Sequence, residues 1–403
     1  MKNVLNYFVR KAFGFKSTAT AEDKTLFGHL LRIRQNIQGV YDWLYARCPA
    51  DAWWLARRMP MTEAVSADGS SGSTPVKLRP VLQNSDNLLA HLALLNGRKI
   101  SNGYADGTPA DDGLPDGVSL ARLLCDSTLQ PTALVDDNVG WVMDKTPTLP
   151  STLTKLVLNC ISIDGVSTAL PTTINNIEFP SLVNFSCAAN ARPLFIYNNP
   201  NITELTFPEV KAMDFGFSYD DAASGSCIST CSNLKKVSMP KLESFGVDIN
   251  GVTSSNSGSA YCCLIHSCEN LEEVYLPSYT GYRNWRIVRN TPNLKKLVLG
   301  YITSGVPALY GSTAYPFDSC TNLLHLEIQG ASVSLDFRSW SPTLDSSNLS
   351  LFLDNFLHFI AERVAQGKFT LTLSAAVYAA LEQQEGQTIL ALLNTKGWTV
   401  ASA

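Results

Sequence analysis

The sequence predicts an α+β protein built around a solenoid. Stacked strand-and-loop repeats would share one parallel sheet, with a helical region before them and an α/β cap after them. Three observations predict this. A short motif with apolar residues at its first, fourth and sixth positions recurs seven times between residues 151 and 329. Proline follows the sixth position in four copies, and asparagine precedes the first position in five.

The 403 residues can bury a sizeable core, and the order of composition along them suggests five regions. Residues 1–60 read as a helical attachment or oligomerisation region, 61–75 as a small-polar linker and 76–148 as a mixed N-terminal cap region. The repeats occupy 149–345 and the C-terminal cap 346–403. Charged residues make up only 16% of the chain, and the net charge of −4 argues against nucleic acid as the partner of the whole chain. The charge is nevertheless uneven. Residues 1–60 hold ten Lys/Arg against four Asp/Glu, which gives that region a partner-binding character of its own.

The N-terminal helix would start at Thr20, with Glu22 and Asp23 in its first turn. Leu26, Leu30, Ile33, Ile37, Val40 and Leu44 then fall at alternating steps of four and three, a heptad seam. Such a seam fits packing within the chain, through Trp43, Trp53 and Trp54, or self-association through residues 20–45. Met1–Lys16 lacks the apolar run of a secretory signal, and no stretch approaches the roughly 20 apolar residues of a spanning helix. Export by the usual signal and insertion into a membrane are therefore not expected. One helix is expected near Asn87–Leu95, followed by a Gly/Asp/Pro-rich loop at 101–117.

The repeats carry the fold. Their first apolar positions are Leu153, Ile174, Ile202, Leu234, Leu271, Leu294 and Leu323, with spacings that vary from 21 to 37. This is the L-x-x-L-x-L strand of a leucine-rich-repeat solenoid with irregular return loops. One strand cannot bury its own apolar face, whereas stacked strands share a continuous core. Pro180, Pro208, Pro240 and Pro277 would end their strands because proline cannot donate to a ladder. Asn201, Asn233, Asn270, Asn293 and Asn322 suggest a buried stack of amides bonding the backbone of the next repeat. Three residues before the first apolar position, Asn199, Cys231, Cys268, Thr291 and Cys320 suit a tight inner corner, as reduced core thiols rather than a disulfide framework. On the outward side, Lys235–Glu272–Lys295 and Lys236–Glu273–Lys296 should place each Glu between two Lys if the strands stack in register.

The run Φ-x-x-Cys-x-Asn-Leu at Ile228–Leu234, Ile265–Leu271 and Phe317–Leu323 resembles the BspA-like class of leucine-rich repeats, over about Leu149 to Ile328. In the tail, Ser347–Ala361 reads as a helix, Phe369–Leu373 as a last strand, Ala380–Leu393 as a second helix, and Thr395–Val400 closes the chain. This tail resembles the caps of repeat proteins from bacterial surfaces and from phage tails or virions. The resemblance implies binding or adhesion rather than catalysis, with a protein or glycan receptor as partner. A basic, seam-bearing N-terminus without a signal favours a virion or tail component. The alternative is a bacterial cell-surface adhesin. An enzyme with its site in 76–148 ranks last, because that region shows no cluster of acid, base or nucleophile.

Neither a phosphate loop, a dinucleotide fingerprint nor a nucleophile elbow is present, so no cofactor is expected. Cys262, Cys263, His266 and Cys268 offer zinc-type ligands, but Cys268 is the repeat's corner residue and the other repeats put Ser229 and Asp318 in place of His266. The acidic loop Asp106–Asp116 lacks calcium-loop spacing. No metal is therefore assigned. The recognition surface predicted here is aromatic: Tyr275, Tyr279, Tyr282, Trp285 and Tyr301, with Arg283 and Arg286 among them. Trp285 also has the size of a core residue.

Overall fold

The computed structural model describes residues 62–63, 77–80, 102–103, 108–114, 123, 128–143, 149–166, 169–187, 195–214, 226–245, 263–281, 287–303, 317–360 and 369–403. It is a mixed α+β structure with mostly parallel sheets and few helices, and no sheet among the described residues closes into a barrel. The seam from Leu26 to Leu44 and the helix expected at Asn87–Leu95 lie outside the described residues.

Two short strands come first, β1 (Thr62–Glu63), inside the stretch read as a linker, and β2 (Lys77–Pro80). They pair antiparallel, and β2 pairs antiparallel with β3 (Ala133–Met143). Every later strand pair is parallel. β4 (Lys155–Val166) lies on β3, and both β5 (Asn176–Glu178) and β6 (Asn184–Cys187) lie on β4.

From there a three-strand cycle repeats. The third repeat forms β7 (Ile196–Tyr197), β8 (Glu204–Thr206) and β9 (Ala212–Asp214). The fourth forms β10 (Ser226–Ser229), β11 (Lys236–Ser238) and β12 (Ser244–Phe245). The fifth forms β13 (Cys263–His266) and β14 (Glu273–Leu276), and its third side continues where Thr280 N–H donates to Glu243 O at 3.0 Å. β15 (Val288–Arg289), β16 (Lys296–Ile302) and β17 (His325–Ala331) follow. Each member of the cycle joins its own sheet. One sheet runs β15-β13-β10-β7, the second β17-β16-β14-β11-β8, and the third carries β4-β6-β9-β12.

The apolar motif explains the second sheet together with the β4–β5 pair. Of its 21 predicted inward side chains, all but Ile177 are buried. At 1.5–3 kcal/mol for each buried large apolar side chain, this shared interior dominates the stability of the array. Proline sets strand length. Strands followed by Pro180, Pro208, Pro240 or Pro277 run three or four residues, whereas β4, β16 and β17, with Asn159, Gly300 and Gln329 at that place, run seven or more. Two residues past each proline another side chain turns inward: Leu182, Val210, Leu242 and Tyr279 are all buried.

The third to seventh repeats enter their motifs through a left-handed residue four places before the first apolar position. Asn198, Thr230, Ser267, Asn290 and Ser319 have φ between 49° and 60°. The corner after it is buried at Asn199, Cys231, Cys268, Thr291 and Cys320, as the small-residue pattern suggested.

The asparagine row differs from the expectation. Asn201, Asn233 and Asn270 donate from Nδ2 to the carbonyls of Thr172, Pro200 and Ser232 at 2.7–2.9 Å, and Asn293 to that of Glu269 at 2.9 Å. The row is exposed rather than buried, and it bonds the preceding repeat, not the next. The asparagines lie in the turns that precede the strands, outside the core, where their amides latch backward onto a carbonyl of the preceding repeat.

The C-terminal region begins with β18 (Leu335–Phe337) and α1 (Leu349–Ile360). Asp345 and Asn348 cap α1 reciprocally: Asn348 Oδ1 accepts from Asp345 N–H at 2.9 Å, and Asp345 Oδ1 accepts from Ser347 N–H at 2.8 Å. β19 (Phe369–Leu373), α2 (Ala375–Glu382), α3 (Gln387–Thr395) and β20 (Trp398–Ser402) complete it. The tail thus differs from the sequence reading in two ways. Ala380–Leu393 is not one helix but parts of two: the backbone turns extended at Gln383 (ψ 159°), and Gly386, whose added Cβ would lie 2.5 Å from Leu381 Cα, caps the second. Phe369–Leu373 is not the last strand but the centre of a parallel β18-β19-β20 sheet. Trp340 ties this region to the repeats. It is buried between Phe352 and Phe356, and its Nε1–H donates to Leu323 O at 2.8 Å.

Candidate functional site

The outward side of the five-stranded sheet is the most regular surface among the described residues. Register pairing fixes two columns on it. One runs Glu204–Lys236–Glu273–Lys296–His325 and the other Thr206–Ser238–Tyr275–Val298–Glu327. Both Glu273 and Glu272 therefore sit between two lysine-bearing strands, as the charge pattern anticipated. Lys236 Nζ is 3.7 Å from Glu273, and Lys295 Nζ is 2.8 Å from Glu272. A hydrogen bond from Lys295, then its charge, holds the Glu272 carboxyl below the usual carboxylate range. Lys241 and Glu209 repeat the same alternation at 2.6 Å. These ions neutralise one another along the sheet, so the face offers a ligand little net charge.

Tyr275 stands in the middle of that face and is 37% exposed. Its flanking register partners are Ser238 and Val298, and Val298 is buried although its position faces outward. The ring thus lies beside an apolar neighbour on one side and a hydroxyl on the other. Such a pairing of an aromatic face with nearby polar groups suits recognition of a flat, partly apolar ligand.

The other sequence-predicted residues divide. Tyr279 is a core residue, fully buried and stacked on Phe245 with ring centroids 5.3 Å apart, so it does not belong to an exposed surface. It occupies the inward position two residues after Pro277, where other repeats carry Leu or Val. Tyr301 is half-buried on β16, its ring lying over Gly330, where an added Cβ would come within 2.8 Å of it. Tyr282, Arg283, Trp285 and Arg286 lie outside the described residues.

Comparison with protein-family models, curated proteins and solved structures finds no match. The chemistry of this chain therefore has to be read from its own side chains.

Sequence reasoning missed Tyr197, which is 39% exposed on the outer side of β7. It shares a register column with Ser229, His266 and Arg289, and only the position five residues before Ile202 marked it. At the end of that column Arg289 Nε donates to Asp318 Oδ2 at 3.1 Å.

The metal candidates are occupied by structural duties. Cys268 Sγ donates to His266 O at 3.6 Å as a corner residue, and Cys263 is buried in β13, while Cys262 lies outside the described residues. In the acidic loop, the Asp112 carboxylate accepts from Asn102 Nδ2 at 2.7 Å and from Leu114 N–H at 3.0 Å, which organises the loop. No group of three or more metal-type ligands occurs among the described residues, and no described helix is long and apolar enough to cross a membrane.

The thiols form a buried column of their own. The interaction between the Cys231 and Cys268 thiols lowers the Cys231 thiol pKa and raises that of Cys268. Burial pushes Cys227 far up, and burial likewise pushes Cys320 up to about 11. Thr291 Oγ1 lies 3.1 Å from Cys320 Sγ, a hydroxyl serving where its neighbours carry thiols.

Proposed function

We propose that this chain is a non-enzymatic display scaffold. It would be a leucine-rich-repeat solenoid of the BspA-like kind, serving as a phage-type virion or tail component. Residues 1–60 attach it, through the seam at residues 20–45 where copies associate. The repeats present a surface to a protein or glycan receptor.

One observation carries this reading. Five parallel strands in register turn their apolar residues inward and hold an ordered polar face outward, with Tyr275 exposed at its centre. Stacked repeats of this kind build broad surfaces whose side chains are free to vary while the backbone stays fixed. Alternating charges fix the register, leaving the aromatic and hydroxyl positions for contact.

The test is binding of the full chain to envelopes of candidate host cells, compared between wild type and Tyr275→Ala. An exposed aromatic anchor contributes 1–2 kcal/mol or more, so affinity should fall about tenfold with an unchanged melting temperature. Unchanged binding removes this face from the account. A bacterial cell-surface adhesin is the second reading, favoured by the Cys-x-Asn-Leu corners that the BspA-like resemblance rests on. Labelled antibody against the chain decorates particles in the first case and intact cells in the second.

A further inference from the structure

The buried column of corner thiols is the strongest feature that the display role leaves unused. Cys231 and Cys268 occupy the same place in consecutive repeats. Two residues before each, Ser229 and His266 are direct partners in the parallel ladder between β10 and β13. Thr230 and Ser267 between them share the left-handed conformation, with φ of 58° and 51°, and each donates its N–H to the following repeat at 3.0 Å. The backbone is therefore superimposable across the two corners. Neighbouring parallel strands lie about 4.8 Å apart, inside the Cα separation of about 4.4–6.8 Å that a disulfide spans. Both thiols are fully buried and free.

We propose that Cys231 and Cys268 form a cross-link site, a disulfide that staples the fourth repeat to the fifth when the chain meets a low-molecular-weight disulfide. This inference is independent of the display reading. The Cys231 thiolate attacks one sulfur of the external disulfide, forming a mixed disulfide and expelling one thiolate. Cys268 then loses its proton to solvent base and attacks the Cys231 sulfur, expelling the second. Two protein thiols are oxidised and the external disulfide is reduced to two thiols. Cys231 acts first because its pairing with Cys268 favours its ionised form, and Cys268, at the matched corner of the next repeat, is placed to resolve the intermediate. The link closes a loop across two repeats without moving either corner to another level of the stack.

Cys227, in strand β10 four residues before Cys231, and Cys320, beside Thr291, are the internal controls, because neither has a thiol at the matched position of the adjoining repeat.

The experiment uses the full chain, unfolded in urea and refolded by dialysis into a glutathione redox buffer, so that burial does not limit access. A never-unfolded sample stands in the same buffer for comparison. After alkylation of free thiols, non-reduced peptide mapping should find Cys231 joined to Cys268, and reduction should remove the link. The linked chain should melt about 5 °C or more above the reduced chain. Cys268→Thr, patterned on Thr291 in the equivalent corner, should abolish both the link and the reductant-sensitive shift, while Cys227→Ala should keep both. Recovery of both Cys231 and Cys268 as alkylated peptides in the refolded sample overturns the proposal. So does a link from either one to another cysteine at comparable yield.

Discussion

Leu297 and Ile177 hold the same fourth position of the motif, yet one is fully buried and the other is not. Leu297 lies in β16 between its register partners Val274 and Leu326, with strands on both sides. Ile177 lies in β5, which pairs with β4 alone. Truncating either to alanine removes three carbons. For Leu297→Ala the transfer loss is about 2.4 kcal/mol at 0.8 kcal/mol per methylene, and the closed cavity between two filled strands brings the total to about 3–5 kcal/mol. For Ile177→Ala the partly exposed side chain forfeits most of the transfer term but leaves no sealed cavity, so about 1.5–2 kcal/mol is expected. Urea unfolding followed by circular dichroism, with the slope held in common, reads both. Equal losses at the two sites would refute the claim that flanking strands, rather than motif position, set the contribution of each inward residue. A loss below 1 kcal/mol at Leu297 would do the same.

Three further outcomes follow from particular residues. Thr230 is β-branched at φ 58°, a place where Asn198 and Asn290 serve elsewhere, so Thr230→Asn should stabilise by about 1 kcal/mol in the same assay, and a loss would contradict the strain assigned there. Gly300→Ala should cost about 1–3 kcal/mol, because its Cβ would lie 2.7 Å from the carbonyl oxygens of both Pro277 and Tyr279, backbone atoms that cannot step aside; an unchanged urea midpoint would refute it. Glu272 and Asp345 both titrate below the ordinary carboxylate range when folded, Glu272 through Lys295 and Asp345 through Ser347. Their contribution is present above the unfolded values near pH 4 and is lost as pH falls through the folded ones. Melting temperature should therefore drop between about pH 5 and 3, and Glu272→Gln should flatten that slope; a flat wild-type profile would oppose it.

The repeat array was legible because burial imposes a pattern on sequence. Inward positions must be apolar, and a proline must end a ladder, so Leu234, Val237, Met239 and Pro240 announce their places. Tyr279 was readable only by comparison with Leu182, Val210 and Leu242, which share its place two residues past a proline. Its phenol suggested a surface, and the corner claimed the ring instead. The asparagine row shows the converse. Its recurrence was visible, but it belongs to the exposed turns ahead of the strands, and turn preference leaves the bonding partner unmarked. The left-handed turns were hidden because Thr230 and Ser319 carry no glycine-like signature. The break between α2 and α3 comes at Gln383, where the backbone turns extended, and helical periodicity does not register it. The candidate site was least legible. Tyr275 and Tyr197 are marked by exposure, and exposure leaves no constraint on neighbouring positions.

The central claim is that successive repeats lie side by side as parallel strands in one register. Nitroxide amino acids at position 325 and, in turn, at 296, 273, 236 and 204 give inter-spin distances along a single outward column. The account expects the distances to grow by about 4.8 Å per strand, reaching about 19 Å between 325 and 204. Distances that fail to increase in that order would contradict it.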